Sequence, residues 1–392
     1  MHFKWMTAAV LFPAAQVLAA VPFHCGGGVS LQTAIDLAFP NQPLLLTGTC
    51  SGPVVINRRN ITLESNTGAV IDGAGKDAIT VTGPVRVSLI GITVQNGNNG
   101  INASAGAQLI LENTQILTNS AMGILLTGAS SATLSGVATD GNGVNGLDAE
   151  GSSPVIVNGA YRSNHNGVFG VNINGSSSLT LAQAQVSVSR NTLGIQIATS
   201  AGAFISDPAS SITASNNITT GLTIVSGAHM VDFGGTITAT GNGVHGVSID
   251  SKAGLDLDAA ATLTSSGNTQ DGVHLEETSV LTMFNTTAFS GAPGTTTINT
   301  YSNGGNGLNV LTGSTFTVIH QAALNSTDNM MNGVHVDNGS SITLIQSKVT
   351  GNTAPDVALT FGSRGDITTS MIGKLTCDAT VLVRGSYTHC PM

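Results

Sequence analysis

A glycine followed by a branched apolar residue recurs along most of the 392-residue chain. Successive occurrences are separated by 23, 23, 24, 24, 27, 25, 26, 35 and 26 residues. A period in this range is typical of a solenoid, in which each repeat forms one coil and packs only against its neighbours. With further coils expected around Val55, Ile79 and Val357, the sequence predicts about 12 coils. The repeat glycines are Gly100, Gly123, Gly146, Gly170, Gly194, Gly221, Gly246, Gly272, Gly307 and Gly333.

Apolar and polar residues alternate within each repeat. The residue after the glycine and the residue two positions later are always apolar, as in Ile124 and Leu126. A period of two indicates a β-strand with one buried face. Two more short strands follow in each repeat, the last of them ending near an asparagine, so we expect three short strands per coil. These asparagines are Asn119, Asn142, Asn191, Asn242, Asn268, Asn329 and Asn352. Helical solenoids use longer repeats rich in Ala, Leu and Glu, and leucine-rich repeats fix the positions of Leu; neither pattern is present.

The first coils carry a second signal. SLQTAIDLA at 30–38 predicts a short amphipathic helix with Ser30 as its N-cap, followed by LLLTGTC, VVINRRNITLES and AVIDGAG. With the repeats, this order resembles bacterial right-handed parallel β-helix repeat proteins of the pectin-lyase-like superfamily. It also resembles periplasmic carbohydrate-binding-type repeat proteins linked to copper enzyme maturation. The resemblance implies an all-β, right-handed parallel β-helix solenoid with an N-terminal capping helix. It does not imply one function, because this fold hosts lyases, hydrolases, esterases, epimerases, adhesins and proteins without known activity.

The two ends of the chain predict export and capping. Lys4, a mostly apolar stretch over residues 6–18, and two small residues at 19–20 are typical of a signal peptide. We therefore expect a signal peptide at 1–20, an N-terminal cap at 21–52, β-helix repeats at 53–370 and a C-terminal cap at 371–392. The mature chain is expected to be a secreted or periplasmic monomer without a transmembrane segment. The four cysteines predict one disulfide at each end, Cys25 with Cys50 and Cys377 with Cys390.

Composition excludes one class of partner. Charged residues make up 8% of the chain and its formal net charge is −9, so no basic stripe is available to bind nucleic acid. Because the cysteine spacings contain no CxxC or CxxH pattern, we expect no cysteine metal site. The repeated glycines are interpreted as residues that permit tight corners, and the repeated asparagines as a ladder of stacked amides.

Function must then be encoded in the variable residues that are predicted to face outward. Neighbouring coils are about 4.8 Å apart, so Asp250 should lie beside Glu276, with His274 nearby. His245 and Asp271 share one position on neighbouring coils, just before the repeat glycine. The step of 35 residues from Gly272 to Gly307 places an insertion near 290–299, beside this cluster. Further candidate binding residues on this face are Asp148, Glu150, Asn172, Asn174, His335 and Asp337.

Three functions remain open. The first is a non-catalytic exported protein, at the surface or in the periplasm, that binds polysaccharide or cell-surface glycan weakly along its polar face or acts as a spacer or adhesin. The second is a polysaccharide hydrolase or lyase in which Asp250 and Glu276 act as the carboxylate pair and His274 moves a proton. His245 and Asp271 are the further candidates for catalysis. No cofactor is expected, except calcium if the protein is a lyase. The third is weak binding of a divalent ion by His274 with Glu276 or by His245 with Asp271.

Overall fold

The computed structural model describes residues 19–286 and 294–387, and this part of the chain is a stack of coils made almost wholly of β-strands. Strands of successive coils pair in parallel and form three sheets of 14, 16 and 14 strands. The chain is a right-handed parallel β-helix, as the sequence resemblance predicted.

We call the sheet that follows the repeat glycines the first sheet, and the other two the second and third sheets, in the order in which each coil reaches them. The first sheet consists of Val54–Ile56, Ile79–Thr82, Ile101–Ser104, Ile124–Leu126, Leu147–Ala149, Phe169–Ile173, Leu193–Ile197, Leu222–Ile224, Val247–Ile249, Val273–Leu275, Leu308–Val310, Val334–Val336, Val357–Leu359 and Leu375–Cys377.

The other two sheets complete each coil. The second sheet consists of Val21–His24, Pro43–Thr47, Ile61–Glu64, Arg86–Ile90, Gln108–Glu112, Ser131–Ser135, Pro154–Val157, Ser178–Leu181, Gly202–Ile205, His229–Phe233, Gly254–Asp258, Val280–Met283, Thr315–Val318, Ser341–Ile345, Arg364–Thr368 and Leu382–Gly385. The third sheet consists of Thr49–Ser51, Val70–Asp72, Thr93–Gln95, Gln115–Leu117, Val137–Asp140, Ala160–Asn164, Gln185–Ser189, Ser211–Ser215, Thr236–Thr240, Thr262–Ser266, Thr296–Tyr301, Ala322–Thr327, Lys348–Thr350 and Met371–Ile372.

The number of coils is slightly larger than the sequence predicted. The first sheet has 14 strands, against an expectation of about 12 coils. Its last strand, Leu375–Cys377, lies in the segment expected to be a C-terminal cap, and Leu375 pairs in register with Val357. This coil was missed because Lys374 stands before its first apolar residue, where a repeat glycine would stand.

The interior is a continuous column of aliphatic side chains. Ile124 and Leu126 are both fully buried, and the equivalent residues of the neighbouring coils stack on them. Each residue of one coil thus packs against its counterpart about 4.8 Å away, which is the spacing of parallel strands. The predicted alternation of buried and outward positions is confirmed.

A ladder of buried asparagines joins the coils at the corner before the first sheet. Each Oδ1 accepts hydrogen bonds from the backbone N–H and the Nδ2 of the asparagine one coil earlier, as between Asn142 and Asn166 at 3.0 Å for both bonds. The predicted stacking is confirmed, and the ladder includes three members that the sequence analysis had not identified. The members are Asn119, Asn142, Asn166, Asn191, Asn217, Asn242, Asn268, Asn303, Asn329 and Asn352.

The repeat glycines are required by space and not by backbone conformation, so the predicted role in permitting corners was wrong. None of them has a positive φ. A Cβ on Gly123 would lie 2.5 Å from the carbonyl oxygen of Gly146 and 2.8 Å from Nδ2 of Asn142. The repeat glycines therefore leave the space that the carbonyl oxygen and the ladder asparagine of the following coil occupy.

The N-terminal end is covered as predicted. The helix Leu31–Leu37 begins at Ser30, whose Oγ accepts the backbone N–H of Thr33 at 3.1 Å. The side chain of Gln32 accepts from the N–H of Val55 at 2.7 Å and donates to its carbonyl at 3.0 Å. These bonds satisfy the backbone of the strand that is the edge of the first sheet among the described residues.

The predicted disulfide between Cys25 and Cys50 is present. Cys390, the partner expected for Cys377, lies outside the described residues, as does the predicted signal peptide up to residue 18. The predicted insertion lies between Met283 and Thr296, and its residues 287–293 are also outside the described part. Among the described residues, no helix is long and apolar enough to cross a membrane.

Candidate functional site

The outward side chains of the first sheet form a polar surface together with the residue that precedes each repeat glycine. We call this surface the polar face. The corner places the residue before the glycine against the residue two positions after it, as in the 2.8 Å hydrogen bond from Nδ2 of Asn145 to Oδ2 of Asp148. Variable residues that are three apart in sequence therefore meet on one surface.

Several residues of this face are buried, although the sequence analysis expected them to be exposed. Asp148 is only 3% exposed, and Asn172, Ser248 and Asn309 are also buried. The reason is that the columns of polar side chains cover one another from coil to coil. Their hydrogen bonds are thus partly shielded from water, where they are stronger than on an open surface.

The most concentrated cluster centres on Asp271. Its Oδ2 lies 3.0 Å from Nδ1 of His274 and 3.7 Å from Nδ1 of His245, as the shared coil position predicted. The two imidazole rings stack with their centroids 4.4 Å apart. The backbone N–H and Nδ2 of Asn306 donate to Oδ1 of Asp271, and Nδ2 of Asn309 donates to Oδ2.

The pKa values in this cluster diverge. Burial acts to raise the pKa of Asp271, but the hydrogen bonds from His274, Asn306 and Asn309 hold it below its ordinary value. Burial acts to lower the pKa of His274, but the hydrogen bond and charge of Asp271 raise it. Burial and the neighbouring charge of His274 lower the pKa of His245 to about 4. Groups with opposed shifts in one place are characteristic of functional sites.

The predicted carboxylate pair adjoins this cluster. Asp250, His274 and Glu276 each offer a ligand atom, and these atoms lie within 4.8 Å of one another. Nε2 of His274 is 3.3 Å from the carboxylate of Glu276. Burial raises the pKa of Asp250, against the 2.6 Å hydrogen bond from Ser248. The structure therefore brings together all five residues that the sequence analysis proposed for catalysis, and Lys252 lies outside them, in the turn after Asp250.

A second cluster lies around Asp148, nearer the middle of the chain. Asp148 accepts from Asn145 at 2.8 Å and from Asn172 of the next coil at 2.9 Å, and burial raises its pKa. Oδ1 of Asn172 is buried and has no hydrogen-bond partner among the described residues. The candidates Glu150 and Asn174 flank this cluster; Asn174 Oδ1 accepts the N–H of Gly175 in its own turn.

A third cluster, around Asp77, was not found from the sequence. Asp77 accepts hydrogen bonds from the side chains of Asn98, Asn99 and Asn102, the last at 2.8 Å. The sequence did contain a signal for this cluster, because Asp77 lies two residues before its strand of the first sheet, as His245 and Asp271 do in their coils. It was overlooked because Ala78 replaces the repeat glycine in that coil.

The remaining candidates, His335 and Asp337, lie at the far end of the face. Nδ1 of His335 is 2.9 Å from Oδ1 of Asn309, which connects His335 to the Asp271 cluster through one amide. Asp337 accepts the hydroxyl of Thr360 at 2.9 Å and is not joined to the cluster by any described contact.

Comparison with known proteins gives the following likenesses. A family model described as a right handed beta helix region matches residues 49–186, and no curated protein sequence matches the chain. Among solved structures, the A-module of mannuronan C-5 epimerase AlgE6 from Azotobacter vinelandii is 15% identical, with a TM-score of 0.37 over 92% of this chain and 86% of that one. Pectate lyase Pel9A is 14% identical, with a TM-score of 0.39 over 86% of this chain and 80% of that one. The Agl-KA catalytic domain is 13% identical, with a TM-score of 0.34 over 97% of this chain and 70% of that one.

Proposed function

We propose that the polar face is a binding surface for a polysaccharide chain in an exported β-helix protein. The observation that carries the proposal is the row of amide, carboxylate and imidazole groups that meet across the corner of the first sheet. They recur with the coil spacing of about 4.8 Å, and each group can donate to or accept from a sugar hydroxyl. A glycan laid along the axis would meet such groups over several coils.

Two details of the face support a neutral or weakly charged glycan. The Oδ1 atom of Asn172 is buried without a partner among the described residues, so a glycan hydroxyl that reached it would satisfy an acceptor that is otherwise unpaired. Phe169 occupies the position of Asn145 one coil later and is half-buried, so it offers an apolar surface on which a sugar ring can rest. The disulfide between Cys25 and Cys50 fits an oxidising compartment, in agreement with the proposed export to the periplasm or medium.

The test is retention of the purified chain in gels that contain neutral or uronic polysaccharides. We expect retention by at least one polymer and about fivefold weaker retention for Asn172→Ala, because one hydrogen bond contributes about 1 kcal/mol. Asn325→Ala is the matched control, since Asn325 lies on the third sheet and its Nδ2 donates to Oδ1 of Asn299 at 2.9 Å. Equal losses in both variants, or no retention by any polymer, would overturn the proposal.

A second candidate function is cleavage of the bound glycan at Asp250 and Glu276. The observation that favours it is the approach of these two carboxylates to within 4.8 Å with His274 between them. A separation of about 5–5.5 Å is the one that retaining glycoside hydrolases use. Oδ1 of Asp250 also has no partner among the described residues, but it is buried, so substrate binding must expose it.

Cleavage is tested with the same polysaccharides, in the presence of calcium and of a chelator. New reducing ends report hydrolysis, and absorbance at about 235 nm, from the unsaturated product, reports elimination at a uronate. Asp250→Asn and Glu276→Gln should each lower the rate by about 10²–10⁴-fold, which is the usual contribution of one acid or base. Retention without either signal would leave the polar face as a binding surface only.

A further inference from the structure

We propose that His245, Asp271 and His274 form a binding site for one divalent transition-metal ion of the zinc class. The ligand atoms are Nδ1 of both histidines and Oδ2 of Asp271, and all three residues offer such atoms within 4.8 Å of one another. The proposal does not depend on glycan binding, because the three residues form the site without any contribution from a sugar.

The distances between these atoms suit a small four-coordinate ion. Zinc lies about 2.0–2.1 Å from nitrogen and about 2.0–2.2 Å from oxygen, so the edges of its tetrahedron measure about 3.3–3.4 Å. Oδ2 of Asp271 is 3.0 Å from Nδ1 of His274 and 3.7 Å from Nδ1 of His245. These two separations bracket the ideal edge, and the two stacked imidazoles, whose centroids are 4.4 Å apart, would turn so that both Nδ1 atoms point at one ion. The fourth position remains for water or a substrate oxygen, as in catalytic zinc sites.

One of the three proposed ligand atoms, Nδ1 of His245, makes no hydrogen bond in the described part of the protein. Nδ1 of His245 is buried and has no hydrogen-bond partner among the described residues, since 3.7 Å to Asp271 is beyond hydrogen-bond length. A buried, unpaired imidazole nitrogen costs free energy unless something binds it. A metal ion at the centre of the three atoms would satisfy it.

The surrounding groups are those that orient metal ligands. A histidine that binds metal usually donates its other ring N–H to a carboxylate, and Nε2 of His274 lies 3.3 Å from the carboxylate of Glu276. Asp271 is fixed by Asn306 on Oδ1 and by Asn309 on Oδ2. Residues of the same coil and of the following coil therefore hold both side chains in place before any ion arrives.

The donor set also selects the class of ion. Two imidazoles and one carboxylate suit zinc, copper, nickel or cobalt, whereas calcium and magnesium prefer six or more oxygen ligands. Calcium, the ion expected if the protein were a lyase, does not fit this site. We therefore expect binding of Zn²⁺ and Co²⁺ without competition from millimolar Ca²⁺ or Mg²⁺.

The experiment uses the full chain purified without a histidine tag, stripped with chelator and titrated with Zn²⁺ by calorimetry. Co²⁺ is titrated in parallel, because a four-coordinate Co²⁺ site absorbs visible light far more strongly than the aqueous ion. His245→Gln, Asp271→Asn and His274→Gln are the test variants. His229→Gln is the matched control, since Nε2 of His229 lies 3.2 Å from Oδ2 of Asp256 in a similar pair on the second sheet.

We expect one ion per chain, with affinity at least tenfold weaker in each test variant and unchanged in His229→Gln. Circular dichroism verifies folding, and if Asp271→Asn does not fold, His245→Gln carries the test because its Nδ1 bonds nothing in the described protein. Failure of the parent chain to bind Zn²⁺, or equal affinity in His245→Gln and the parent, would overturn the proposal.

Discussion

The carboxylate of Asp232 points into the core of the β-helix, where its Oδ1 accepts the backbone N–H of Gly235 at 2.7 Å. Asp232 is 0% exposed and pairs in register with Ile205 and Leu257, both of which are core residues. Its Oδ2 has no partner among the described residues. Burial raises its pKa to about 7, against the hydrogen bond from Gly235.

This pKa makes stability depend on pH. An unfolded aspartate has a pKa of about 3.9, so between about pH 4 and pH 7 the folded chain binds more protons than the unfolded chain. The contribution of Asp232 to the free energy of unfolding should therefore fall as pH rises through this window, by up to about 4 kcal/mol for a shift of about 3 units. His245, whose pKa is lowered to about 4, contributes in the opposite sense, so the parent chain alone does not isolate the effect. Urea unfolding at pH 5 and pH 8 covers about two of the three units, or about 3 kcal/mol.

Asp232→Asn provides the decisive comparison, because asparagine does not titrate. Between pH 5 and pH 8 its unfolding free energy should rise relative to that of the parent chain, by about 3 kcal/mol. Asp366→Asn is the control, since Asp366 lies on the partly exposed outer face of the same sheet. The same pH dependence of unfolding in Asp232→Asn and in the parent chain would contradict the prediction.

The asparagine ladder predicts a large loss of stability from a single truncation. Asn242 accepts from the N–H and Nδ2 of Asn217 and donates to the carbonyl of Ala214 and to Asn268, all at 3.0–3.1 Å. Asn242→Ala leaves these buried groups without partners, at about 1–3 kcal/mol each. We expect a loss of about 3 kcal/mol or more in denaturant unfolding. Asn57→Ala, at an exposed position, should change stability by less than about 0.5 kcal/mol.

Two glycines allow the space requirement to be tested directly. A Cβ at Gly194 would lie 2.2 Å from the carbonyl oxygen of Gly221, whereas a Cβ at Gly202 would meet nothing within 4 Å. Neither glycine has a positive φ. Gly194→Ala should destabilise the chain by about 1–3 kcal/mol through overpacking. Gly202→Ala should be neutral or stabilising by about 0.4–1 kcal/mol. Thermal unfolding of both variants measures the contrast, and similar effects would refute the explanation.

Reduction of the disulfide should loosen one end of the stack first. The bond between Cys25 and Cys50 closes a loop with a sequence separation of 25, which contributes roughly 3 kcal/mol. Because each coil packs only on its neighbours, that loss should be local. Amide exchange should accelerate over residues 25–60 and remain unchanged over the central coils. Uniform acceleration along the chain would contradict this prediction.

The fold could be predicted from the sequence because the positions of the repeat glycines determine which residues of neighbouring coils pair. Once Gly246 and Gly272 are aligned, Asp250 must lie beside Glu276 and His245 beside Asp271, and the structure places them so. The approach of the histidines to the carboxylates was therefore predictable from spacing alone.

Burial and the reason for the glycines were not predictable in the same way. Alternation indicates which side chains point outward, but it does not indicate that outward columns cover one another, as at Asp148. Asn166, Asn217 and Asn303 were missed because each stands beside other polar or glycine residues that could equally have occupied the corner. Each repeat glycine is required because a Cβ there would clash with atoms of the following coil. The sequence around the glycine does not reveal this clash, because those atoms lie about one repeat further along the chain.

The asparagine ladder has a direction. Every Nδ2 donates toward the next coil and every Oδ1 accepts from the coil before, as from Asn119 to Asn142 and from Asn329 to Asn352. The amide dipoles are therefore aligned head to tail along the axis, with their positive ends toward the C-terminal coils, in the manner of peptide dipoles in a helix. The last amide, Asn352, donates at 2.9 Å to the carboxylate of Asp356. The β-helix thus contains a buried electrostatic axis whose positive pole is neutralised by an acid of its own chain.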